Sequence, residues 1–159
     1  MILLSFALLT APLSPPSTIT VSACMSAASA FRGTWDIGPF DNDTASDWYL
    51  EFSEKPSWES VRKAFAATAR SRRVDADTAS VAIAAAAIVA AVHQQRFDTL
   101  PTEGRATISI LEAPSPDLLR AANTALSRIE QNSELAELWN EDDPAAWVTS
   151  LNLIRTGLK

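Results

Sequence analysis

The stretch Val81-Ala82-Ile83-Ala84-Ala85-Ala86-Ala87-Ile88-Val89-Ala90-Ala91-Val92 decides the fold. It carries no polar side chain, and alanine is the strongest helix former. Either Asp75 or Asp77 serves as N-cap, and the helix is expected to run from Thr78 to Gln95. A helix that is apolar on every side has no face to give to water, so it belongs inside the protein. A membrane span is the weaker reading, because the run falls short of the about 20 apolar residues a bilayer requires and alanine is only mildly apolar. Its small side chains let neighbouring helices approach from all directions, so it is expected to pass through the centre of a bundle.

Helix signals flank it on both sides. Upstream, Thr44 to Phe52 follows a Gly-Pro turn, with Asp41 or Asp43 as cap, and Trp48 and Phe52 share a face four residues apart. Ser57 caps a second helix in which Trp58, Val61, Phe65 and Ala69 form one stripe. Arg70, Arg72 and Arg73 gather at its end, a solvated helix terminus or a contact for an acidic partner. Downstream, Arg96 to Pro114 reads as a connection broken by Pro101 and Gly104. The alternating Thr107-Ile108-Ser109-Ile110 has no partner strand and is expected to be an extended loop. Ser115-Pro116-Asp117 is a strong helix start. Leu118, Ala122, Leu126 and Ile129 face inward there, and Arg120, Asn123, Arg128 and Glu130 outward. Ser133 caps Glu134 to Asn140, with Leu135, Leu138 and Trp139 inward. Asp143-Pro144 opens a last helix lined by Trp147, Leu151, Ile154 and Leu158. The expected fold is all-α: a single compact bundle of about six helices around the buried Ala-rich one.

The chain has 159 residues, 47% hydrophobic and 20% charged, with a formal net charge of -6. That length fits one domain, and the acidic balance argues against a nucleic-acid partner, which requires a positive field. No glycine-rich phosphate loop occurs, and one cysteine with one histidine cannot form a disulfide or a zinc site unaided. His93 reads as a helix-end residue rather than a catalyst. No cofactor is expected.

Residues 1–31 contain no Lys, Arg, Asp or Glu, and the first charge is Arg32. They are read as a leader ahead of a helical domain spanning 32–159. A translation start at Met25, a secretion signal cleaved after Ala28-Ser29-Ala30, a lipobox at Val21-Ser22-Ala23-Cys24 and a disordered tail are the readings of that leader. The signal readings lack a positively charged start. A cytoplasmic location is expected unless residues 1–30 are a true signal.

Gly33-Thr34-Trp35-Asp36-Ile37-Gly38-Pro39-Phe40-Asp41-Asn42-Asp43 carries the chain's most distinctive pattern. It resembles the opening of a bacterial family known as domain of unknown function 4259. Ser133 to Trp139 and a closing helix with Trp147 are similar to later parts of that family. The resemblance implies a bacterial source and a shared fold, and brings no activity.

Two functional readings stand. In one, Trp35, Gly38, Pro39, Phe40, Asp41, Asn42 and Asp43 form a turn, an aromatic plug and a helix cap in a non-enzymatic protein-interaction module of immunity or regulatory type, with another protein as partner and Trp35 as a possible anchor. In the other, Asp36, Asp41 and Asp43 are the oxygen ligands of a metal-dependent enzyme or hydrolase. The loop lacks the glycine and glutamate spacing of an EF-hand. Carboxylates turned into a pocket favour the enzyme; carboxylates accepting backbone N–H bonds at a helix start favour the cap.

Overall fold

A computed structural model describes residues 37–159. The chain divides into two units, Met1–Phe31 and Arg32–Lys159. The leader readings at Cys24, Met25 and Ala28 to Ala30, and the motif residues Gly33, Thr34, Trp35 and Asp36, lie outside the described residues.

Among the described residues seven α-helices follow one another: α1 (Asp43–Glu54), α2 (Trp58–Arg70), α3 (Ala76–Gln94), α4 (Arg105–Ile108), α5 (Pro116–Gln131), α6 (Glu134–Asp142) and α7 (Pro144–Gly157). A single turn of 3-10 helix, Phe97–Thr99, sits between α3 and α4. No strand occurs among the described residues, so the architecture is all-α. The side chains of Asn42, Ser57, Asp75, Ser115, Ser133 and Asp143 each accept a backbone N–H in the first turn of the helix they precede. Each thus satisfies one of the donors that a helix start leaves free. Of the two candidates for the central helix, Asp75 is the cap, accepting the Thr78 N–H at 2.8 Å.

Helix α3 is the hub. It packs against α1, α2, α5, α6 and α7. Ala79, Ala82, Ala84, Ala85, Ala86, Ile88, Val89 and Val92 are all fully buried. By length and hydropathy α3 could cross a membrane, yet 67% of its most apolar window is buried against the other helices. At Gly157, near the end of α7, a Cβ would stand 2.8 Å from Ala90 Cβ, so the close approach of α7 to α3 uses the missing side chain. Around this hub lie Phe52, Val61, Phe65, Leu118, Leu126, Ile129, Trp139, Trp147 and Leu151.

The structure departs from the sequence expectations in several places. The stretch expected to be an extended loop at Thr107 to Ile110 instead holds the end of α4 and the turn that follows it. A helical turn pairs its backbone groups locally, which a lone strand cannot do. Ile108 is fully buried and Ile110 is 79% exposed, so one apolar contact anchors the turn. Arg105 Nε reinforces the connection by donating to the Leu100 carbonyl at 2.7 Å. Arg128, expected to face outward, folds back onto α2: its Nε donates to the Thr68 carbonyl at 2.8 Å and its guanidinium also meets the Ser71 carbonyl. It supplies donors to carbonyls that a helix end leaves unpaired. Glu130 pairs with Arg155 of α7. Leu138, expected inward, is 48% exposed, because Leu135 and Trp139 fill the buried face of the short α6.

The arginine cluster is partly consumed by structure. Arg73 Nη1 lies 2.9 Å from Glu134, and its guanidinium also pairs with Glu137, a hydrogen bond that raises its pKa. Beside it, Val74 N–H donates to the Asn132 carbonyl at 3.1 Å, and Glu134 N–H to the Val74 carbonyl at 2.9 Å. The α2–α3 and α5–α6 junctions are thereby fastened together.

Two outcomes follow. Ala86→Leu, which forces a large side chain into the hub, should lower unfolding stability by about 1–3 kcal/mol in denaturant titration. The Asp75 carboxyl is held below its usual pKa by the Thr78 backbone N–H. Its contribution is therefore present above the unfolded-state pKa and is lost as pH falls through the depressed folded value. Stability measured from neutral to acid pH should fall below about pH 4, and Asp75→Asn, which keeps a capping oxygen, should remove that part of the slope.

Candidate functional site

The described part of the motif begins with a tight turn. Asp41 N–H donates to the Gly38 carbonyl at 3.3 Å, and Gly38 N–H donates back to Asp41 Oδ2 at 3.0 Å. A Cβ on residue 38 would stand 2.0 Å from that same carboxylate oxygen. A side chain at residue 38 would therefore push the Asp41 carboxylate out of its present place. Pro39 lies inside the ring so formed, where its fixed φ suits the turn and its missing N–H is not needed.

The next two residues attach this turn to the bundle. Phe40 is half-buried and meets Tyr49 edge-to-face, ring centroids 5.0 Å apart. Tyr49 is buried on α1, and its hydroxyl donates to the Pro101 carbonyl at 3.1 Å. Burial pushes the Tyr49 phenol above its usual pKa, so it stays a protonated donor. Asn42 is only 9% exposed, and its Oδ1 accepts the Ala45 N–H at 2.9 Å. The cap of α1 is therefore Asn42 and not Asp41 or Asp43, the two candidates read from the sequence. Asp41 is committed to the Gly38 turn, and Asp43 is already the first helical residue, exposed at the surface.

Two longer bonds fix the motif against other helices. Ser150 Oγ of α7 donates to the Ile37 carbonyl at 2.9 Å. Thr44 Oγ1 donates to Asp77 Oδ1 at 2.9 Å, linking the first turns of α1 and α3. Among the described residues no group of three or more His, Cys, Asp or Glu side chains is placed to hold a metal ion. Asp36, part of the ligand set proposed from the sequence, lies outside them.

Two spaces border the motif. One is a small cavity under the turn, lined by Gly38, Asn42, Ser80, Trp139, Trp147 and Ser150 among others. The other is an open groove of about 440 Å³ between α3 and α7. Its floor is Ala87, Ala90, Ala91 and Ile154, and Pro39 and Leu153 stand at its edge with Gln94, Arg96 and Thr156. Leu153 is 70% exposed. Arg96 lies 3.5 Å from Asp98, both largely in solvent, a pairing too exposed and too long to hold the guanidinium firmly. Sequence reading found the motif but not these spaces, because their walls come from residues more than a hundred positions apart. The only local hints were Pro39 and the small residues of α3.

The turn and cap make a direct prediction. Asn42→Ala should lower stability by about 0.5–2 kcal/mol through loss of the cap. Gly38→Ala should displace the Asp41 carboxylate and destabilise as well, whereas Asp43→Asn, at an exposed position, should change stability by less than about 0.5 kcal/mol. Chemical denaturation of the three variants checks the ranking.

The comparisons agree with this frame. No curated protein and no solved structure matches the chain. A family model described as a domain of unknown function (DUF4259) matches residues 33–150, from the start of the quoted motif into α7. That match takes in α1 to α6 and the first half of α7, and the protein belongs to the DUF4259 family.

Proposed function

We propose that the chain is a non-enzymatic protein-interaction module of immunity or regulatory type, and that it receives an apolar side chain of its partner in the groove between α3 and α7. The observation that carries this reading is the groove itself. Its volume of about 440 Å³ is ample for an aromatic or branched aliphatic anchor, the type of residue that dominates binding energy at protein interfaces. Its floor is made of alanines whose small side chains leave the space open, and its lip is a leucine standing in water. Arg96 at the rim adds one cationic contact, so the favoured partner segment carries an apolar anchor with a carboxylate nearby.

The metal-dependent reading through Asp36, Asp41 and Asp43 draws less support. One Asp41 oxygen is bound to the Gly38 N–H, and Asn42 spends its oxygen on the cap, which is the arrangement expected of a structural element.

The test is affinity capture from the bacterial host that the family resemblance implies, with wild type, Leu153→Glu and Trp35→Ala side by side. Leu153 is exposed, so Leu153→Glu should leave the melting temperature nearly unchanged while weakening partner recovery at least tenfold, about 1.4 kcal/mol. Recovery of the same partner by Leu153→Glu rules out the groove. Absence of any specific partner across growth conditions rules out the interaction reading itself.

A further inference from the structure

The cavity beneath the Gly38 turn has about 20 Å³ of room for the centre of a water-sized sphere. Two of the side chains in its walls carry polar atoms that are buried without a hydrogen-bond partner: Ser80 Oγ of α3 and Trp147 Nε1 of α7. Ser80 is 1% exposed and Trp147 is 3% exposed. They are not bonded to each other, and among the described residues no other side-chain nitrogen or oxygen is left in this state. A buried polar group without a partner is a heavy cost to folding, so two of them on residues that line one space is an arrangement that calls for an occupant.

The walls specify its chemistry. The indole N–H can only donate, so the occupant must accept a hydrogen bond. The serine hydroxyl both donates and accepts. Asn42, whose Oδ1 is engaged at the α1 cap, stands in the same walls. The size admits one small molecule: a water requires about 10–15 Å³ by this measure, and organic ligands occupy sites of about 300 Å³ or more. A bare ion is disfavoured, because Ile83, Leu135 and Trp139 supply apolar wall and no opposite charge.

We propose that a single water molecule is an integral part of this fold, accepting from Trp147 Nε1–H and hydrogen-bonded to Ser80 Oγ beneath Asn42. It joins α3 and α7 beneath the Gly38–Asn42 turn, beside the direct bond from Ser150 Oγ of α7 to the Ile37 carbonyl. It stands apart from the groove reading and does not rest on it, although Pro39 and Ser150 border both spaces.

The experiment uses full-length, nitrogen-15-labelled protein. The Trp147 indole signal is assigned by its disappearance in Trp147→Phe. The proposal expects a cross-peak between that indole proton and water, with the sign of a water that stays bound longer than the protein takes to tumble. Ser80→Ala, which removes one anchor of the site, should shift the Trp147 indole signal and weaken the cross-peak. The Trp58 indole, which donates directly to the Glu112 carbonyl at 3.2 Å, is the internal control and should not respond. An indole proton that exchanges slowly but shows no water cross-peak overturns the proposal, as does a Trp147 signal indifferent to Ser80→Ala. Should Trp147→Phe fail to fold, a high-resolution crystal structure decides. Density within hydrogen-bond distance of both atoms supports the water, and a dry cavity refutes it.

Discussion

Helix α3 has no face it can show to water, and the rest of the bundle is arranged around that constraint. A run of alanine, valine and isoleucine with no polar side must be covered from every direction. Five helices cover it. Alanine makes this possible, since a ring of leucines would hold the neighbours further out. It also limits how much each contact contributes, so the covering helices bring the bulk: Phe65 and Val61 from α2, Leu126 and Ile129 from α5, Trp147 and Leu151 from α7. Large against small is how close-packed interiors fill their space. Where α7 comes nearest, even its own side chain is dispensed with at Gly157.

The same choice of small residues opens the groove. Along the α3 face made by Ala87, Ala90 and Ala91, no bulky residue from α7 reaches over, and Leu153 turns to solvent while Ile154 turns inward. The feature that closes the core on most sides therefore leaves a depression on one. The motif turn places Pro39 at the edge of that depression, so the motif and the groove are neighbours through the geometry of the Gly38 ring.

What the sequence revealed was local. Ser57, Asp75, Ser115, Ser133 and Asp143 could be read as caps because the chemistry of a helix start spans only four residues. The central helix was legible because composition alone forbids it a wet face. The choice among Asp41, Asn42 and Asp43 was not legible, since it depends on Asp41 being drawn back to the Gly38 N–H. Arg128 and Leu138 escaped for a related reason. Their surroundings are set by the ends of other helices: the α2 carbonyls for Arg128, and the space already filled by Leu135 and Trp139 for Leu138. Helix α4 is four residues long, too short for periodicity to register, and a single buried isoleucine holds it.

The motif therefore has a division of labour that its appearance conceals. Three consecutive residues rich in side-chain oxygen suggest a metal site, yet the described geometry gives each a separate position. Asp41 closes a turn, Asn42 caps a helix and Asp43 faces solvent as the first residue of α1. A carboxylate already accepting a backbone N–H, beside a glycine that leaves room for it, is an element of architecture. A turn held in this way by its own backbone and side chain needs no ligand to keep its shape, so its sequence says little about chemistry. The surface free to vary in partner or purpose is what the turn adjoins: the rim of Leu153 and Arg96, whose side chains nothing in the fold requires.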